Sequence, residues 1–156
     1  GETLMGAWFM REKMFRQEAE IRGKAEEVIS FLNMGRHANE FAGNLSGGQK
    51  KLLELGRTMM VSPKIVILDE VGAGVNRTLL KEIGDAILKM NRERGFTFCM
   101  IEHDMDFISR LCDPVVVMAE GKILAQGRAD EIKANEDVIE AYLGASIKNI
   151  GEALTG

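Results

Sequence analysis

The sequence predicts a layered α/β fold with a parallel sheet, attached to a purely helical subdomain. After residue 62, short apolar runs alternate with segments of helical periodicity, and this alternation is typical of strand–helix–strand units in a parallel sheet. Before residue 62, apolar residues recur only at helical spacing. We therefore place a subdomain boundary near Ser62-Pro63, which makes residues 1–62 the helical subdomain.

Two helices and a connection account for the helical subdomain. Residues 11–34 carry dense charge and repeat apolar side chains at helical spacing, which predicts the first helix. Residues 35–45 contain two glycines and form the connection. A second helix is expected from about Gln49 to Met60. Its inward side is expected to carry Leu52, Leu53, Gly56 and Met59.

Residues 63–144 form the predicted α/β part, and residues 145–156 form a tail. The predicted strands are Ile65–Leu68, Phe96–Ile101, Val115–Met118 and Lys122–Ala125, the last reached through a turn at Glu120-Gly121. The predicted helices are residues 77–92, 104–111 and 129–143. The first strand is continuously apolar, so we expect it to be buried on both faces.

Composition restricts the class of protein. Hydrophobic residues make up 46% of the 156 residues, but no run approaches the roughly 20 apolar residues that cross a bilayer, and the first residues do not resemble a signal peptide. The net charge of -4 argues against a nucleic-acid binder. Cys99 and Cys112 fit neither a metal spacing nor a disulfide framework. Cys99 is expected to be a buried free thiol, which indicates a reducing, cytoplasmic setting.

The first motif that suggests chemistry is Leu45-Ser46-Gly47-Gly48-Gln49, which opens a helix. Glycines allow a phosphate to approach the backbone, and the free N–H groups of a helix start attract anions. The alternative is a capping box, in which Ser46 caps the helix and Gln49 returns a hydrogen bond. Both interpretations can hold together.

Two further motifs follow strands. Asp69 and Glu70 end an apolar strand, where α/β sheets place their ligands, so one carboxylate can hold Mg²⁺ and the other can orient or deprotonate water. Two solvated acids at a strand end are the simpler alternative. His103 follows the next strand and could bond a terminal phosphate or cap the following helix. We assign no role to His37.

The order of these features resembles the ATP-binding cassette (ABC) family over essentially the whole chain. Leu45–Gln49 match the signature motif of that family, and Leu68–Glu70 match the end of its Walker B strand. Gly72–Asn76 match the loop that follows, and His103 matches the switch histidine. A finer resemblance, to importers of branched-chain amino acids, is carried by Asn44–Arg57, Ala73–Asn76, Ile101–Met105 and Val138–Gly144.

The resemblance implies a P-loop NTPase fold and ATP hydrolysis between two subunits that face each other head to tail. Asp69 would help to hold Mg²⁺, Glu70 would polarise the attacking water, and His103 would bond the γ-phosphate. The signature residues would bind the γ-phosphate of ATP held by the opposite subunit: Ser46, Gly47, Gly48 and Gln49. Such subunits lie on the inner face of the cell membrane and drive permease subunits, which select the transported substrate.

The sequence departs from the family in three ways. No Gly-x-x-x-x-Gly-Lys-Ser/Thr loop occurs in it, so we expect a fragment without the N-terminal strands of the fold and without ATPase activity of its own. The resemblance implies a strand between Phe96–Ile101 and Val115–Met118 that this sequence lacks. Two strand edges would then have no partner, so we expect the chain to pair with itself or rearrange. Val71 replaces the usual proline and Asn76 replaces a frequent aspartate.

Two alternatives stay open from the sequence. An ABC ATPase without a transport function would carry similar motifs, although the importer-like segment Val138–Gly144 argues against it. A catalytically silent fragment that keeps only docking surfaces would explain the missing phosphate loop.

Overall fold

A computed structural model describes the backbone of residues 4–141 and the side chains of residues 11–141. Its elements are α1 (Leu4–Phe31), α2 (Gly47–Val61), β1 (Ile65–Asp69), α3 (Arg77–Arg94), β2 (Thr97–Ile101), α4 (Met105–Leu111), β3 (Val115–Ala119), β4 (Lys122–Gly127) and α5 (Ala129–Ala134). Short 3₁₀ turns at Gly35–His37 and Ala42–Asn44 fill the connection between α1 and α2.

The chain divides into two compact units. Among the described residues, the first unit contains those up to Ile67 together with Ala73–Cys99, and the second contains Leu68–Gly72 together with those from Met100 onward. The division therefore cuts β1 and β2 partway along their length. The sequence-based division at residues 62 and 144 stays a prediction.

A close contact in the first unit depends on a glycine of α2. A Cβ placed on Gly56 would lie 2.7 Å from Cδ1 of Leu32 in the α1–connection segment, so the backbone of α2 lies directly against that side chain. Of the residues expected on the inward side of α2, Leu52, Gly56 and Met59 are buried. Leu53 is only half-buried, and Leu55 is buried in addition.

Among the described side chains of the first unit, those of helix α3 are the most deeply buried. Ile83, Ile87 and Met90 are 2%, 3% and 0% exposed. Their spacing of four and three residues places them on one helix face. Gly95 ends the helix in the left-handed conformation at φ +70°, which suits a residue without Cβ.

The strands form two separate pairs among the described residues, β1 with β2 and β3 with β4. The amide of Thr97 donates to the carbonyl of Lys64 at 3.0 Å, and the amide of Glu70 donates to the carbonyl of Ile101 at 2.9 Å. The starts and the ends of β1 and β2 thus meet, as the predicted parallel arrangement requires. β3 and β4 are antiparallel, joined by the predicted turn at Glu120-Gly121.

The expected double burial of β1 is wrong. Val66 is 6% exposed, but Ile67 is 71% exposed, because successive strand residues point to opposite faces and one face of β1 is left uncovered by the described part of the chain. Cys99 on β2 is exposed for the same reason, so the expected buried thiol is also wrong.

The predicted closing helix over residues 129–143 is interrupted. α5 stops at Ala134, and Asn135 adopts an extended conformation before a further helical segment at residues 136–141. The Asn135 side-chain oxygen accepts a hydrogen bond from the amide of Val138 at 3.1 Å and starts that segment. Ile132 and Val138 from the two segments join Val115 in the core of the second unit. Residues 142 and 143 lie outside the described residues.

No helix in the described part of the chain combines the length and apolarity that a membrane span requires.

Candidate functional site

Helix α2 begins with the predicted capping box. Ser46 is extended at φ -62° and ψ 162°, and its Oγ accepts a hydrogen bond from the amide of Gln49 at 3.3 Å. In return, the amide of Ser46 donates to Oε1 of Gln49 at 2.8 Å. Ser46 and Gly47 are exposed, so this helix start is accessible from solvent.

The two glycines of the motif have different surroundings. A Cβ on Gly47 would meet nothing within 4 Å, which leaves space for a ligand close to the backbone. A Cβ on Gly48 would lie 2.0 Å from Cδ2 of Leu79 and 3.3 Å from Cγ1 of Val75. Gly48 is therefore required for packing α2 against the start of α3, a role that the sequence analysis missed.

His37 contacts the nitrogen of the Gln49 side-chain amide. Nε2 of His37 lies 3.1 Å from Nε2 of Gln49, and it also accepts a hydrogen bond from Nε of Arg36 at 3.0 Å. Because a guanidinium only donates, Nε2 is an acceptor and a neutral ring carries its proton on Nδ1, 3.0 Å from Oε2 of Glu40. His37 was assigned no role from the sequence, because it stands twelve residues before Gln49 and no periodic pattern connects the two.

Asp69 and Glu70 end β1 as predicted, and both are exposed. Glu70 has left-handed backbone torsions, with φ at +44°. Its amide bonds to Ile101 at the end of β2, so the adjacent parallel strand fixes the backbone at this position.

The second unit brings His103 to Glu70. Nδ1 of His103 lies 3.9 Å from Oε1 of Glu70, beyond hydrogen-bond distance, and the two side chains are 74% and 60% exposed. The carboxyl ends of the paired strands β1 and β2 therefore present an acid and an imidazole side by side. This is the arrangement expected from two strand ends that meet at one edge of a sheet.

The side chain of Glu102 contacts the loop after β1. Its Oε1 accepts a hydrogen bond from the amide of Gly72 at 2.8 Å, across 30 residues of sequence. Glu102 is half-buried, whereas its neighbours Ile101 and His103 are exposed. In the sequence, the one indication of this difference is that successive side chains along a strand point to opposite faces, so those of Glu102 and His103 point in different directions.

The loop after Gly72 is also anchored. Nζ of Lys51 donates to the carbonyl of Ala73 at 2.8 Å, and the Asn76 side chain accepts from the amide of Leu79 at 3.0 Å as the N-cap of α3. Asparagine and aspartate are equally good N-caps, which gives a physical reason why Asn76 can replace the aspartate found in many relatives.

Among the described residues, no three His, Cys, Asp or Glu side chains converge on a possible metal site. Magnesium ions commonly use only one or two protein carboxylates and take their remaining ligands from phosphates and water. Exposed carboxylate oxygens such as those of Asp69 fit this chemistry.

The chain is similar in sequence and fold to known proteins. The sequence profile of a family described as ABC transporter matches residues 4–73, and that of the branched-chain amino acid ATP-binding cassette transporter matches residues 122–147. The chain belongs to the ATP-binding cassette family. The predicted P-loop NTPase fold is confirmed by solved structures of this ABC family. A crystal structure of the ADP conformation of an ATP-binding cassette has a TM-score of 0.74 and 36% identity, with 80% of this chain and 50% of that chain covered.

Similar ABC proteins are named as transport subunits. The chain is 37% identical over 148 residues to the probable branched-chain amino acid transport ATP-binding protein LivG of Archaeoglobus fulgidus, covering 95% of this chain and 55% of that protein. It is 39% identical over 129 residues to the high-affinity branched-chain amino acid transport ATP-binding protein BraF of Pseudomonas aeruginosa, covering 83% of this chain and 51% of that protein. The chain thus spans about half the length of these ABC relatives.

Proposed function

We propose that the chain is the second half of the ATP-hydrolysing subunit of an ABC importer for branched-chain amino acids. The observation that carries this proposal is the placement of Glu70 beside His103 at the ends of β1 and β2. The names of the similar ABC subunits support the substrate class, since those proteins are described as serving branched-chain amino acid transport.

The catalytic roles follow from the chemistry of each group. Glu70 polarises the attacking water, because an exposed carboxylate at a strand end can accept a proton from it. His103 donates a hydrogen bond to the γ-phosphate, and its distance of 3.9 Å from Glu70 lets both groups address one reacting centre. Asp69 helps to hold Mg²⁺, which would neutralise phosphate charge when bound.

The start of α2 supplies the second half of the ATP site, to a nucleotide held by another subunit. Four residues carry this role: Ser46, Gly47, Gly48 and Gln49. The exposed helix start attracts anions, and the open space at Gly47 lets a phosphate approach the backbone. Within this proposal two subunits form a dimer and act on permease subunits at the inner face of the membrane.

The 156 residues alone are proposed to lack useful ATPase activity and specific ATP affinity. No phosphate-binding loop sequence occurs in them, so a nucleotide would lose both orientation and charge stabilisation. Titrating this chain with ATP tests the point. Micromolar binding that depends on Ser46 would contradict it and favour an active ATP site within these residues.

The activity is tested in the full-length subunit, assembled with its membrane subunits. Glu70→Gln keeps the shape of the side chain but removes its basicity, so ATP turnover should fall by about 10²-fold or more. Glu93→Gln, an exposed acid on α3, is the matched control and should leave turnover unchanged. An unchanged rate of ATP turnover in Glu70→Gln would show that Glu70 does not have the catalytic role.

A further inference from the structure

The segment from Ile101 to His103 contacts the segment from Glu70 to Gly72 at three successive points. The carbonyl of Ile101 accepts from the amide of Glu70 at 2.9 Å, and Oε1 of Glu102 accepts from the amide of Gly72 at 2.8 Å. Nδ1 of His103 lies 3.9 Å from Oε1 of Glu70. The backbone on both sides of residue 71 is therefore held by the same neighbouring segment.

Glu70 needs such support because of its backbone conformation. A side chain other than glycine is unfavourable at φ +44°, and this conformation persists only where the surroundings impose it. The residue that follows does not impose it, because Val71 lacks the ring that fixes φ in proline. The hydrogen bond from the amide of Gly72 is a restraint two residues after Glu70.

Glu102 is suited to provide that restraint. A charged carboxylate makes a stronger hydrogen bond to a backbone amide than a neutral acceptor does. Its half-buried position reduces competition from water, whereas the side chains of Glu70 and His103 are exposed. The side chain of Glu102 thus points toward the loop while the two proposed catalytic groups point to solvent.

We propose that Glu102 is a positioning residue that keeps the Glu70 carboxylate beside His103 by fixing the amide of Gly72. The proposal rests on the function proposed above, in which Glu70 polarises the attacking water. Glu102 itself does not touch the nucleotide. It replaces, through a side-chain hydrogen bond, the backbone restraint that proline at position 71 would supply.

Three substitutions at Glu102 separate the effect of where its oxygen lies from the effect of its charge. They are tested in the full-length subunit with its membrane subunits. Glu102→Ala removes the acceptor, and Glu102→Asp keeps the charge but withdraws the oxygen by one methylene. Both should lower kcat by about 10- to 100-fold with KM for ATP nearly unchanged, since a misplaced catalytic group costs this much. Glu102→Gln keeps an oxygen at the same reach and should restore most of the lost kcat.

A second readout follows the hydrogen bond itself. Hydrogen–deuterium exchange at the Gly72 amide should be faster in the alanine and aspartate variants than in the wild-type protein and the glutamine variant. Glu136→Ala, which removes another exposed acid from the second unit, serves as control and should change neither kcat nor this exchange rate.

The outcomes distinguish this inference from the proposed function. If Glu70→Gln abolishes turnover while Glu102→Ala and Glu102→Asp leave kcat intact, the positioning role is overturned and the proposed function stands. If kcat of Glu102→Gln is as low as that of Glu102→Ala while the Gly72 amide still exchanges slowly, the charge of Glu102 acts by a route other than this hydrogen bond. The positioning role is then again overturned. If Glu70→Gln keeps full turnover, the proposed function fails first.

Discussion

Nε2 of Gln49 lies 3.1 Å from Nε2 of His37, so the amide that caps α2 is held from both ends. On its other side, Oε1 of Gln49 accepts from the amide of Ser46. The imidazole is in turn oriented by Glu40, 3.0 Å from Nδ1. A chain of hydrogen bonds thus connects the 3₁₀ turn Gly35–His37 to the first turn of α2. These bonds fix the Gln49 amide with its oxygen, and not its nitrogen, toward Ser46.

Replacing His37 with alanine should destabilise the first unit. The side chain is only 16% exposed, and its loss leaves the Gln49 and Glu40 groups without this partner. The free energy of unfolding should fall by about 0.5–1.5 kcal/mol, measured by urea denaturation. Arg57→Ala, an exposed position on α2, is the control. Equal stability of the two variants would show that the imidazole does not support the cap.

Replacing Ser46 with alanine should cost about 1 kcal/mol of unfolding free energy, because the cap of α2 is lost. Ser30→Ala, at an exposed position near the end of α1, is the matched control and should change stability little. In the full-length subunit, Ser46→Ala should also weaken ATP turnover. A variant with normal stability would contradict the capping geometry.

The glycine pair should respond in opposite ways. Gly48→Ala forces Leu79 to move, and the added methyl group should destabilise the chain by about 1–3 kcal/mol. Gly47→Ala places its methyl group in open space and should leave stability within about 0.5 kcal/mol, while it obstructs the approach of a phosphate in the full-length subunit. Thermal unfolding of both variants checks the contrast, which would fail if the two lost the same stability.

The uncovered face of β1 should drive self-association of the 156-residue chain. Ile67 is 71% exposed, and exposed apolar strand residues promote pairing with another copy. Ile67→Lys should therefore shift the chain toward monomer in sedimentation velocity. Val61→Lys, at a residue 77% exposed at the end of α2, is the control and should leave the distribution unchanged. A wild-type chain that sediments as a monomer would refute the expectation.

The sequence predicts the order of the elements well because apolar spacing records which segments are helices and which are strands. For α3, the apolar periodicity predicts residues 77–92 and the helix is Arg77–Arg94, with Ile83, Ile87 and Met90 of that periodic set buried. The burial of β1 could not be predicted in the same way. Apolar side chains show that a face can be covered, but they do not show what covers it.

The candidate site was predicted unevenly for a related reason. Ser46, Glu70 and His103 stand in local motifs, so their type and spacing were sufficient to single them out. His37 and Glu102 act through contacts over twelve and thirty residues, which no local pattern encodes. Such supporting residues become visible only when the backbone brings distant segments together.

Because the helix is interrupted at Asn135, the number of residues between Asn135 and Val138 is critical. Val138 enters the core three residues after the residue that caps its helix. One residue inserted between them would rotate the downstream side chains by about 100° around the helix axis. Asp137 would then occupy the position of Val138 and bring a carboxylate beside Val115. Length variation in related chains should therefore accumulate in surface turns such as Glu120-Gly121 and avoid this short interval.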